Sequence, residues 1–278
     1  MNSLSVKSYG KINIGLQIRS KRMDGFHNIH TVFQQINFFD TLIISKQKHN
    51  ISFKSNVSWL KNDNSNLCIK AFKEMKGLYN LEGININLLK KIPICAGLGG
   101  GSSNAAAILK GVNLLYNLRL SDKELECIGS KVGADVSFFI KGGTQLGEGV
   151  GEKLKKVNKV FSFKFLLVMP KIKILSSWAY QKYKIFLDNC RDFINLKYCL
   201  EKDNIPFELF DNDFEKIIIP AYPEIGKIIK ILRESKARYA GLSGSGSTVF
   251  GIFDDEVDAI SAESFLSKKH KTIVVEPI

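Results

Sequence analysis

The sequence predicts an α+β protein of two lobes, and three observations carry that expectation. The chain has 278 residues, about the length at which single hydrophobic cores stop growing. Near the N-terminus Ile12, Ile14, Leu16 and Ile18 alternate with Lys11, Asn13, Gly15 and Gln17, the period of a half-buried strand. Strand and helix periodicities then recur in both halves of the chain. The lysine-rich "KLKKVNK" reads as a surface connection, so the lobes are placed at 1–155 and 156–278.

Each element follows from a local pattern. Extended segments are expected around Thr41–Ser45 and Ile84–Leu88, with a helix from Asn66 to Tyr79 burying Cys68, Ala71, Phe72 and Met75. Ala105, Ile108, Leu109, Val112 and Leu115 recur at helical spacing. Ser121 with Glu124 forms a capping box for a further helix that ends near Gly133. In the second half "FSFKFLLVMP" reads as a buried strand ended by Pro170. Helices are expected over Phe207–Ile218 and from Pro223 onward. A strand at Tyr239, the turn "GLSGSG", a strand "TVFGIF", an exposed helix near Glu256–Leu266 and a strand "TIVVEP" complete the series.

Composition narrows the class. With 45% hydrophobic and 24% charged residues, the chain is neither disordered nor fibrous. No apolar run approaches the ~20 residues of a membrane span, and the first residues lack a signal-peptide pattern, so a soluble cytoplasmic protein with no membrane partner is expected. Net charge is +13, but the lysines are scattered, without an arginine-rich tract or zinc-finger spacing. This points away from nucleic acid and toward solvated faces and an anionic small molecule. Five cysteines, Cys68, Cys95, Cys127, Cys190 and Cys199, show no C-x-x-C pair, so they are expected as reduced thiols and small core residues.

The densest signal is "KIPICAGLGGGSSNAAAIL", Lys91 to Leu109. Consecutive amides in a glycine turn form a nest for anions. The turn runs straight into a helix, whose N-terminus adds about half a positive charge, so phosphate is the natural occupant. The hydroxyls of Ser102 and Ser103 can cap that helix or meet phosphate oxygens and a metal ion. A Walker A loop is excluded because no lysine follows the glycines, and the dinucleotide fingerprint fails because Ser102 stands where its third glycine belongs. Protein-kinase signatures are absent.

"PICAGLGGGSSNAA" resembles the ATP-phosphate loop of the GHMP kinase superfamily. "YGKINIGL" and "GLSGSGSTVF" resemble its N-terminal and C-terminal motifs. "DGFH" at 24–27, "GADVSFF" at 133–139, "GEGVGE" at 147–152 and "NDFE" at 212–215 resemble the branch whose acceptor is a cytidine-diphosphate-linked methylerythritol. The resemblance implies a ribosomal-S5-like N-terminal lobe and a ferredoxin-like C-terminal lobe, with ATP and Mg²⁺ as cofactors. It implies phosphoryl transfer to the acceptor's 2-hydroxyl in non-mevalonate isoprenoid synthesis.

Residue by residue, the resemblance makes Asp135, at the mouth of a strand, the general base and Lys11 the lysine that pairs with it. Pro93, Ala96, Gly97, Leu98, Gly99, Gly100, Gly101, Ser102, Ser103 and Asn104 would hold the ATP phosphates, with Asn66 and Lys90 near the adenosine. On the acceptor side, Asn13 would hydrogen-bond the substrate and His27 the cytosine. Phe26 and Tyr180 would stack on opposite sides of the base, and Gly241, Ser243 and Gly244 would close on phosphates or polyol. The metal ligands are left unassigned. The motifs depart from the family pattern at Tyr9-Gly10, Phe26 and Ser137. Two other readings compete: a superfamily kinase acting on mevalonate derivatives or homoserine, and a basic nucleic-acid-binding protein.

Overall fold

A computed structural model describes residues 2–159, 161–183 and 193–278; Cys190 lies outside them. The chain divides into two compact units that interleave in sequence. The first is Met1–Gly10, Phe38–Pro93 and Gly99–Gly142, and the second is Lys11–Asn37, Ile94–Leu98 and Gly143–Ile278. Strands β1 (Ser3–Lys21) and β2 (His27–Gln47) each give one end to each unit.

In the first unit the C-terminal half of β2 pairs antiparallel with β4 (Gly83–Leu89), from Thr41 opposite Leu89 to Gln47 opposite Gly83. β3 (Ile51–Ser55) runs parallel to β4. Helices α1 (Leu67–Tyr79), α2 (Gly100–Leu115), α3 (Asp122–Val132) and α4 (Val136–Lys141) complete it. Phe72, Met75, Ile84, Ile86, Ile108, Val112 and Phe138 are buried here, each side chain contributing about 1.5–3 kcal/mol by leaving water. The α3 capping box forms as expected. The Ser121 hydroxyl accepts from the Glu124 amide, the Glu124 carboxylate accepts from the Ser121 amide, and Gly133 ends the helix. Asp135, expected at the mouth of a strand, instead immediately precedes the helix Val136–Lys141. A short apolar run suits either state, and here the chain must turn at once into Gly142.

In the second unit β2 pairs with β5 (Thr144–Glu148), and β5 with β6 (Lys153–Lys156), both antiparallel. The expected surface connection at 153–156 is therefore a strand that sends its lysines to solvent. Next come β7 (Lys164–Met169), α5 (Ser176–Tyr183), α6 (Leu196–Glu201), α7 (Glu215–Ala221) and α8 (Pro223–Glu234). They are followed by β8 (Tyr239–Leu242), β9 (Val249–Phe253), α9 (Glu256–Leu266) and β10 (Lys271–Val275). The order β10-β7-β9-β8 is antiparallel throughout, and with α8 and α9 as the two crossings it is a β-α-β-β-α-β ferredoxin-like arrangement. Its core joins Leu166, Val168, Ile225, Ile228, Leu232, Phe253, Ala262 and Leu266.

Two further expectations change. Phe207–Ile218 is not one helix. A 3-10 turn at Phe207–Leu209 and the start of α7 at Glu215 flank a segment in which Asn212 bridges to Leu16 of β1. β1 is also not half-exposed in its middle, since every residue from Gly10 to Ile18 is buried. Of the cysteines, Cys68 and Cys199 are buried, but Cys95 and Cys127 are exposed. Burial pushes the Cys68 thiol up to about 12.

Candidate active site

The glycine turn has positive φ at every second residue, +56° at Cys95, +75° at Gly97 and +66° at Gly99. For Cys95 this left-handed geometry costs about 1–2 kcal/mol. The carbonyls of Ala96, Gly97 and Leu98 are tied to other segments of the second unit, to which they belong. Ala96 C=O accepts from the Thr248 amide at 3.2 Å, Gly97 C=O from Lys11 Nζ and Ser243 Oγ at 3.0 Å each, and Leu98 C=O from the Lys11 amide at 3.0 Å. A trans peptide points its N–H opposite to the preceding C=O, so the amides of Gly97, Leu98 and Gly99 face away from those anchors. A Cβ on Gly97 would overlap the Ser243 carbonyl.

Helix α2 starts from Gly99, with Ser103 N–H donating to Gly99 C=O at 2.9 Å. The amides of its first turn have no intrahelical acceptor. The N-cap is Gly99, which has no side chain to cap with. Ser103 Oγ donates to Tyr9 C=O at 2.6 Å and accepts from Ser8 Oγ at 2.7 Å, while Ser102 lies half-buried in the same turn. Gly100 admits Lys90, whose Nζ would stand 2.8 Å from an added Cβ. Pro93 is half-buried where this unit's chain enters the turn.

The first unit also holds a polar centre around Asp40 that the sequence pattern does not announce. Asp40, fully buried, pairs with Lys90 and accepts from the amides of Lys91 (2.7 Å) and Ile92 (2.8 Å) and from Asn104 Nδ2 (2.9 Å). Burial pushes the Lys90 ammonium below its ordinary value, and Asp40 opposes that shift. A lone carboxylate within the apolar run Phe38–Leu42 was the available signal. Lys90 and Asn104 are therefore both committed to the Asp40 carboxylate within the first unit. Asn66 caps α1, accepting from the Cys68 amide at 3.0 Å and donating to Lys61 C=O at 3.1 Å. Asp135 is half-buried and immediately precedes α4.

In the second unit Lys11 is only 4% exposed. Its Nζ donates to Asn13 Oδ1 at 2.5 Å as well as to Gly97 C=O, and it lies 5.6 Å from the centre of the Phe33 ring. Asn13 Nδ2 donates to Thr31 Oγ1 at 3.0 Å, and the Asn13 amide to Ser243 Oγ at 3.4 Å. Lys11, Asn13, Gly97 and Ser243 thus form one connected set. Gly244 lies beside them: a Cβ there would be 3.1 Å from Asn13 Oδ1 and 3.5 Å from Lys11 Nζ, and its φ is +57°. Gly241 belongs to β8, paired with Phe250, and not to the turn. Its lack of a side chain makes room for Tyr239 and Glu215.

The expected base-binding residues are brought together in part. His27 is buried and stacks on Tyr180 with centroids 5.1 Å apart, and Tyr180 in turn meets Phe214 edge-on at 4.9 Å. Tyr180 therefore spends one face on His27. Phe26 is 60% exposed. Among the described residues no three His, Cys, Asp or Glu side chains converge as metal ligands, and no helix is long and apolar enough to cross a membrane.

Comparison with known proteins gives one answer across the chain. Residues 66–143 match the GHMP kinases N terminal domain and residues 197–272 the GHMP kinases C terminal domain. A 4-diphosphocytidyl-2-C-methyl-D-erythritol kinase of Prosthecochloris aestuarii is 38% identical over 278 residues, covering 98% of this chain and 96% of its own. The protein of that name from Acetivibrio thermocellus is 38% identical over 266 residues, 94% of each chain. A crystal structure of a 4-(cytidine 5'-diphospho)-2C-methyl-D-erythritol kinase superposes with a TM-score of 0.83 at 26% identity, covering 98% of both chains.

Proposed function

Since this chain belongs to the 4-diphosphocytidyl-2-C-methyl-D-erythritol kinase family of the GHMP kinases, we propose that it transfers the γ-phosphoryl group of ATP to the 2-hydroxyl of 4-diphosphocytidyl-2-C-methyl-D-erythritol, in non-mevalonate isoprenoid synthesis. It is a small-molecule kinase. The observation that carries the phosphate assignment is the turn 96–99, whose carbonyls are all anchored so that its amides face outward and lead into the first turn of α2. Outward amides and a helix N-terminus suit a triphosphate.

In this reading the amides from Gly97 to Ser102 hold the β- and γ-phosphates, and Ser102 offers a hydroxyl, since that of Ser103 is engaged with Tyr9 and Ser8. Asp135 takes the proton of the acceptor hydroxyl as its oxygen bonds to the γ-phosphorus and the bond to the β-phosphate oxygen breaks, giving ADP and the phosphorylated alcohol. Lys11, already at the Gly97 carbonyl, assists by charge. Catalysis of this kind rests on positioning and neutralisation more than on covalent chemistry. Mg²⁺ would sit mainly on the phosphates, with the Ser102 hydroxyl available to it. Its chemistry when bound is to neutralise charge on the transferred group. Phe26 offers a ring face for cytosine, and His27 and Tyr180 a polar edge beside it. Asn13, Ser243 and Gly244 line the acceptor side. Asn66 and Lys90 remain assigned to the adenosine side, although both already have structural partners.

We place the lobe boundary at 155/156, which the two family-matched segments flank, and the protein in the cytoplasm. An ADP-release assay with the cytidylyl methylerythritol, mevalonate, phosphomevalonate and homoserine tests the substrate: turnover is expected with the first alone. Equal turnover of an acceptor lacking cytidine would discard it.

A further inference from the structure

The segment 211–215 ("DNDFE") lies between two helical pieces and is hydrogen-bonded at each step. Asn212 Nδ2 donates to two carbonyls at once, Leu242 at 2.7 Å and Gly244 at 2.8 Å, which bracket Ser243. Asn212 Oδ1 accepts from the Phe214 amide at 3.0 Å, fixing the side chain's direction. Glu215 Oε1 accepts from the Leu242 amide at 2.8 Å. On the opposite side the backbone bonds of Leu16 to Asp211 (2.9 Å) and of Asp213 to Leu16 (2.8 Å) fasten β1, and Asp213 Oδ2 accepts from the Ile18 amide at 2.8 Å. Asn212 and Asp213 are both buried.

We infer that Asn212 is a positioning residue for phosphoryl transfer: its side-chain amide clamps the 242–244 turn while the backbone of its neighbours Asp211 and Asp213 grips β1, which together fix Ser243 against Gly97 and set the place of Lys11 and Asn13. The chain of contacts is continuous. Ser243 Oγ bonds Gly97 C=O and the Asn13 amide, and Lys11 Nζ bonds Asn13 and Gly97 C=O. Asn212 touches none of the reacting groups and acts through the turn. The inference rests on the kinase reading above for its catalytic consequence, but not for the clamp itself.

Asn212→Asp separates these roles. It keeps the acceptor for Phe214 but replaces the two N–H donors with an oxygen facing two carbonyls. The turn is expected to loosen while the rest of the unit stays folded. Hydrogen exchange of the intact chain without substrate reads this directly: amides of 243–248 and 11–16 should exchange at least ~10-fold faster, whereas those of α9 should not change. In the kinase assay kcat should fall by roughly 10²-fold while KM for ATP moves little, because an ångström-scale misplacement of a positioning group costs about that much. Glu215→Gln, which retains an acceptor for the Leu242 amide, should keep most of the activity that Glu215→Ala loses; this pair decides the matter if Asn212→Asp does not fold. Unchanged exchange, or kcat within ~2-fold of the parent, overturns the clamp. A parent protein that turns over none of the acceptors overturns the kinase reading, and the exchange experiment still decides the clamp.

Discussion

Ser243 donates its hydroxyl hydrogen to the carbonyl of Gly97 at 3.0 Å, joining two glycine-rich turns that lie 146 positions apart in the sequence. Each turn holds the other in a conformation that its own residues alone do not dictate.

Gly97→Ala tests that contact from the other side. The new methyl would overlap the Ser243 carbonyl, and φ is +75° at this position. Strain of about 1–2 kcal/mol adds to the clash. Binding of a fluorescent ATP analogue is expected to weaken at least ~10-fold, which corresponds to ~1.4 kcal/mol; unchanged affinity would remove this turn from the nucleotide site.

Asp135→Asn keeps size and shape but cannot accept the acceptor's proton. Turnover should drop by about 10²–10⁴-fold, the usual contribution of a positioned base, with ATP affinity preserved. Near-normal turnover would assign the base elsewhere.

Removing one partner of a buried ion pair costs more than the pair contributes. Asp40→Ala leaves the Lys90 ammonium buried without its carboxylate and three further hydrogen-bond donors without an acceptor. We expect a loss of about 3–5 kcal/mol in urea unfolding, and a loss under ~1 kcal/mol would mean the site relaxes or admits water.

His30 gives the protein an acid weakness. Burial, reinforced by Arg19 and Lys155, pushes its imidazole down to about 4, and Glu148 at 3.5 Å only partly opposes this. The unfolded chain then binds a proton near pH 6.5 that the folded chain refuses, so His30 supports folding above that pH and the support drains away toward pH 4. His30→Asn should flatten the melting-temperature profile between pH 6.5 and 4; an unchanged slope would place the acid sensitivity in other groups.

What could be read from the sequence was what neighbours in sequence decide. The α3 capping box, the start of α8 at Pro223 and the glycine turn into α2 all follow from residues within a few positions. What could not be read depends on partners far along the chain. Lys11 looks like an exposed charge on a strand, but it is buried, with the Gly97 carbonyl and the Asn13 side-chain oxygen among the groups that receive its ammonium. Phe207–Ile218 has helical spacing, but Asn212 is claimed by Leu242 and Gly244, thirty residues on, and the helix breaks there. The family resemblance sets Asn66 near the adenosine, while its side chain serves as a helix cap, a role Asn fills in many proteins.

The interleaving of the two units sets the order in which a nascent chain can finish folding. The amide of Ile18 is bonded to a carboxylate 195 residues downstream, and Gln35 C=O accepts from the amide of Ile278, the last residue. The first strands leave the ribosome long before those acceptors and donors are made, so their pairing waits on residues far downstream. Such distant pairings slow folding and leave sheet edges open to aggregation while they wait.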